Sequence, residues 1–94
     1  MKAPAMPTVQ IDNDKVRVTE WRFSPGASTG WHRHEYPYIV VPGTTGTLRI
    51  VDGDGNAVLS DLTAGVSYYR DAGVEHDVIN ANGYEFVFVE IELK

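Results

Sequence analysis

The sequence predicts an all-β fold: one small domain of about seven to nine short strands, arranged as a sandwich or small barrel. Three observations carry this. Aromatic and β-branched residues recur in short alternating runs. Gly and Asn stand at nearly every junction between those runs. No apolar i, i+3, i+4 spacing persists long enough to make a helix. At 94 residues, 43% of them hydrophobic, the chain fits a single domain and is too apolar to remain disordered. Its core volume is limited, so closing the sheet, docking two sheets or pairing with a second copy would each add stability.

Residues 1–7 carry Pro4 and Pro7 and read as an extended tail or edge arm ahead of the domain, residues 8–94. "VRVTEWRF", 16–23, is the first clear alternation and stops at Pro25-Gly26. "GWHRHEYPYIVV", 30–41, is extended chain with a bend expected near Pro37. "TLRIV" and "AVLSDL" flank "DGDGN", so 46–62 reads as a hairpin. "GVSYYR", 65–70, is broken by "DAG" and resumed by "EHDVIN", 75–80. After Asn82-Gly83 comes "YEFVFVEIEL", 84–93, which is apolar on both faces. A strand of that kind is covered on both sides, within the two layers or at a subunit interface, and a homodimer is expected.

The formal net charge is −5 with no Lys/Arg cluster, so neither nucleic acid nor an anionic membrane surface is an expected partner. No apolar run approaches a membrane span, and "MKAPAMPTVQ" lacks the sustained apolar stretch of a secretory signal. The absence of cysteine excludes disulfides and thiolate ligands and fits a reducing compartment, so a cytoplasmic location is expected. A small-molecule substrate or ligand is the remaining class of partner. Even an anionic one is compatible, because a local pocket can oppose the global sign.

Two of the three histidines fall within "TGWHRHEYPY", 29–38. Side chains two apart on a strand face the same way, so His32 and His34 enter one space while Arg33 and Glu35 leave it. His76 lies in another β run and is placed to supply a third ligand. Three neutral imidazoles suit a divalent transition metal (iron, zinc, nickel, copper, cobalt or manganese) and leave positions open for water or substrate. A lone histidine in a β protein is more often a surface or hydrogen-bonded residue, so the weight rests on the spacing of all three.

That spacing resembles the two motifs of the cupin superfamily. The first is Gly26, five residues, His32, Arg33, His34 and a later Gly46. The second is Gly65, five residues, Asp71-Ala72-Gly73, two residues, His76, three residues and Asn80. The resemblance spans residues 26–80 and implies a conical β-barrel or jelly roll (a double-stranded β-helix), with a metal held by His32, His34 and His76, often in a dimer. More narrowly, "GWHRHEYPY" in a nearly insert-free domain is similar to small bacterial stand-alone cupins, some named as β-alanine degradation proteins. Two departures stand out. The glutamate ligand usual four or five residues beyond the second histidine is replaced by Tyr38 or Ile39, and the proline usual in the second motif is Asp71. Glu35 should point outward and is set aside as a substitute ligand.

Tyr38 is read three ways: an aromatic wall, a phenol that hydrogen-bonds a ligand, or a direct metal ligand. Arg49 alternates with Leu48 and Ile50; facing inward it would clamp a carboxylate, facing outward it would be solvated. Arg70 and Arg22 pose the same question. Asn80 is read as a side chain that stabilises the turn at Asn82-Gly83. Two functions compete. One is a metal-dependent, dioxygenase-like enzyme acting on a small organic substrate, with Tyr38 and Arg49 at the site; the other is a non-catalytic ligand-binding or sensory module. A hydrolase, isomerase or lyase is disfavoured, because no histidine is left to act as free acid or base.

Overall fold

Nine strands form among the described residues, 2–94, of the computed structural model of this chain. They are β1 (Met6–Asp12), β2 (Val16–Phe23), β3 (His32–Arg33), β4 (Tyr38–Pro42), β5 (Gly46–Val51), β6 (Ala57–Leu62), β7 (Tyr68–Arg70), β8 (Glu75–Asn80) and β9 (Phe86–Leu93). One sheet runs β1-β2-β9-β4-β7 and the other β3-β8-β5-β6, with antiparallel pairing between neighbours. This is the all-β jelly roll that the sequence led us to expect. No helix of the described residues is long and apolar enough to cross a membrane.

The period-2 alternation of the strands sets the core. Phe23 of β2, Phe86 and Phe88 of β9, Tyr38 and Val40 of β4, Leu48 of β5 and Val78 of β8 turn inward and form one buried cluster. Fully burying side chains of this size stabilises by about 1.5–3 kcal/mol each. The hairpin at 46–62 closes through Asp52, whose carboxylate accepts from the backbone N–H of Asp54 at 2.9 Å and of Asn56 at 3.0 Å. Gly55, at φ 81°, supplies the left-handed residue that the turn needs.

Two stretches differ from the sequence reading. The run 30–41 is not one strand but two, because the chain leaves the four-stranded sheet after Arg33 and joins the five-stranded sheet at Tyr38. Pro37 lies in that crossing, where it has no N–H to give a ladder. The second difference is β1. The arm is not free: Ser28 N–H donates to the Ala3 carbonyl, Ala5 N–H donates to the Ser28 carbonyl, and Met6 and Pro7 already pair with β2. Met1 lies outside the described residues. All seven residues of β1 are exposed, so neither face carries the alternation that would have announced the strand.

Asn80 ties β8 to the end of β2 and to the turn before β9. Its amide donates to the carbonyls of Phe23, Ser24 and Tyr84, and its oxygen accepts from the N–H and side-chain amide of Asn82. The residue is 2% exposed, so water cannot replace these partners. Asn80→Ala should therefore lower stability by about 2–4 kcal/mol in urea unfolding, since buried backbone carbonyls lose their donor. An effect within about 0.5 kcal/mol would show that the turn is held elsewhere.

Candidate metal centre

The β3–β8 register sets His32 directly opposite His76, and cross-strand partners project from the same face. The pairing runs one step past β3. His34 N–H donates to the Val74 carbonyl, and Gly73 N–H donates to the His34 carbonyl, both at 2.8 Å. Gly73 has φ 98°, a conformation that a side chain would strain, and this turn starts β8 in the position that brings His76 to the other two.

All three rings meet at Nε2. His32 Nε2 lies 3.0 Å from His34 Nε2, which lies 3.2 Å from His76 Nε2. The outer nitrogens of the first two rings are spoken for. His32 Nδ1 donates to the Gly30 carbonyl at 2.9 Å, and His34 Nδ1 donates to Glu90 Oε1 at 3.1 Å. A neutral imidazole has one donor and one acceptor nitrogen, so the bare lone pairs of His32 and His34 face each other inside the cluster. That is unfavourable unless a cation sits between them. Three imidazole ligands at the roughly 2.0–2.1 Å of a zinc–nitrogen bond lie about 3.0–3.4 Å apart, depending on the angle. The residues therefore fit a metal, and His32, His34 and His76 would hold it.

Glu90 was not anticipated from the sequence. It is 6% exposed, and its second oxygen accepts from Trp21 Nε1 at 2.9 Å. The chain Trp21–Glu90–His34 fixes the tautomer and tilt of the ring, as an outer carboxylate does for a metal-bound histidine. A signal was available: Glu90 shares strand parity with Phe86 and Phe88, so it had to face the core.

Tyr38 is 3% exposed and stacks on His34 with ring centroids 3.8 Å apart. Burial pushes its phenol well above the usual tyrosine value, so it stays neutral. Glu35 is exposed and pairs with Arg33 at 3.4 Å. Arg49 must be corrected. It is exposed on the outer face of β5, while Leu48 and Ile50 take the inner face and line the cavity beside the histidines. The strand's alternation leaves no inward position for it. Arg70 lines an adjoining cavity that shares Tyr38, Ile50, Tyr68 and His76 with the one beside the histidines.

With this geometry in view, comparison with known proteins is informative. The cupin domain is matched over residues 8–92. This chain belongs to the cupin family. It is 58% identical over 90 residues to the Pseudomonas aeruginosa β-alanine degradation protein BauB, covering 96% of this chain and 94% of that one. A crystal structure of a cupin domain from Bordetella pertussis Tohama I superposes with a TM-score of 0.96 at 61% identity, covering 100% of this chain and 97% of that one. A Klebsiella pneumoniae protein with a double-stranded β-helix domain, 21% identical over 96% of this chain and 76% of its own, superposes at 0.76 and shares the fold. In this cupin Tyr38 occupies a position where the motif usually has a glutamate, and the carboxylate beside the cluster, Glu90, uses both oxygens in hydrogen bonds.

Two outcomes follow. Glu90→Ala should weaken metal binding about 10–100-fold in a competition titration. In a Trp31→Phe background, metal addition should change Trp21 emission in the parent and leave it unmoved once Glu90 is gone. Separately, burial and then the neighbouring His32 and His34 lower the His76 pKa from 6.5 to about 4. Folded His76 thus binds fewer protons than unfolded His76 between those values. Its contribution is intact above about pH 6.5, and metal-free protein should lose stability as pH falls through about 4. His76→Asn should flatten that part of the profile, measured by thermal unfolding.

Proposed function

We propose that this cupin is a metal-dependent oxygenase acting on a small organic substrate beside the three histidines. One observation carries the reading: three Nε2 atoms converge with no carboxylate ligand, on the wall of an apolar cavity lined by Val40, Leu48, Ile50 and Phe88. A divalent iron or similar ion bound there would supply redox chemistry and open coordination positions for oxygen and substrate. The chain's own residues do the rest. His32 and His34 are held in the ligating tautomer by Gly30 and Glu90. The apolar walls exclude water. Tyr38, kept neutral by burial, is a hydrogen-bond donor facing the cavity and not a base. Hydrolytic or isomerising chemistry is less well supported, because all three imidazoles are committed to the cluster.

The name of the Pseudomonas aeruginosa relative ties that protein to β-alanine degradation, and the same metabolic setting is proposed for this chain, in the cytoplasm. A homodimer is supported by β1, an edge strand with Met6, Val9 and Ile11 exposed, since open edges favour pairing with another chain. The decisive measurement is elemental analysis of protein purified without added metal, followed by oxygen uptake with candidate small acids. Near-stoichiometric iron that disappears in His76→Ala, with uptake that disappears alongside it, is the expected result. Stoichiometric metal with bound ligand and no turnover would leave a ligand-binding module instead.

A further inference from the structure

We propose that the cavity between β6 and β7 is the subsite for a small aliphatic monocarboxylate, and that the Arg70 guanidinium at its rim receives the carboxylate while the apolar chain points toward His76. The subsite deepens the metal-site reading above and rests on it for the direction in which the ligand lies.

The cavity holds about 280 Å³ and shares Tyr38, Ile50, Tyr68 and His76 with the smaller space around the three histidines. A ligand seated in it therefore reaches the cluster. Its remaining walls are Val58 and Ser60 of β6, Arg70 of β7 and Val74. In a chain with 13 acidic residues against 8 basic ones, no carboxylate of the described residues lines this space. The opening on the other side of the cluster differs: Glu90 and Glu92 line it together with Arg17 and Arg33.

Arg17, Arg22 and Arg33 each pair with carboxylates. Arg70 and Arg49 are the two arginines without an ion pair among the described residues, and of these only Arg70 lines the cavity. The Arg70 guanidinium lies over the Tyr68 ring, 4.6 Å from the centroid, and Nη1 donates to the Tyr69 carbonyl at 3.0 Å. Stacking orients the planar fork, and one hydrogen bond leaves four of its five N–H donors unspent. An oriented fork with spare donors matches a carboxylate. Arg70 is the one arginine or lysine on these largely apolar walls, so they suit one carboxylate at the rim with a short aliphatic chain beyond it.

The test is equilibrium dialysis of the full chain, as purified, with radiolabelled butyrate and butyramide. Butyrate should bind at least about tenfold tighter than its neutral amide. Arg70→Met should weaken butyrate by about tenfold or more and leave butyramide, metal content and thermal stability unchanged. Arg70→Lys should recover only part of the loss, because the fork is gone. Arg49→Met, on the outer face, should match the parent. Equal binding of acid and amide, no measurable butyrate binding, or an Arg70→Met constant within about twofold of the parent would each overturn the proposal. His76→Ala separates the two readings. If the three-histidine centre is wrong, metal content survives His76→Ala while butyrate still depends on Arg70. If the subsite is wrong, metal is lost as expected and Arg70→Met has no effect.

Discussion

The register between β3 and β8 is the constraint on which the site depends. Because side chains alternate with a period of two, a slip of one residue would send His32 or His76 to the opposite face and dissolve the cluster. A two-residue strand cannot hold a register by its own ladder. The flanking turns do it: Thr29 N–H donates to the Val78 carbonyl on one side, and His34 and Val74 pair on the other. Ser28 adds a side-chain anchor by donating to Asp77 at 2.6 Å, and the same carboxylate oxygen accepts from Gly30 N–H at 3.1 Å. The motif glycines gain a physical meaning here, since they let the chain turn tightly enough to return these donors to β8.

The second sheet contributes something different. It brings no metal-ligating histidine but supplies what fixes one: Glu90 from β9, steadied by Trp21 from the adjoining β2, across a register that leaves both side chains facing the interior. Removing a carboxylate from water is costly unless its oxygens find donors, and both oxygens of Glu90 find one. The sheets are thus joined at the site by a hydrogen-bonded chain in addition to the apolar contacts of Phe23, Phe86 and Phe88. Loss of packing in the five-stranded sheet would reach His34 through Glu90.

The runs at 16–23 and 75–80 and the hairpin at 46–62 were read at their observed bounds or within a residue, because turn residues bound them: Pro25-Gly26, the Asp52–Asn56 turn, Asp71-Ala72-Gly73 and Asn82-Gly83. β1 was missed because neither of its faces is buried, so its side chains carry no pattern. The break between Arg33 and Tyr38 was half legible: Pro37 announced a bend, but a change of sheet depends on what the chain finds on arrival. Arg49 and Arg70 could not be told apart by type, and only the parity of β5 and the edge position of β7 separate them. Glu90 was within reach, yet charge in an apolar run draws less attention than histidine spacing.

Replacing a glutamate by Tyr38 alters the electrostatics more than the shape. An anionic ligand would cancel part of a bound cation's charge; a neutral phenol stacked on His34 leaves that charge whole. The carboxylate nearest the cluster, Glu90, stands one imidazole farther out and would act on a bound metal through His34. With Glu92 on the far side of the cluster and no acid along the β6–β7 cavity, the field favours an anion entering from the Arg70 side. Local arrangement, not net charge, decides which small molecules this barrel admits.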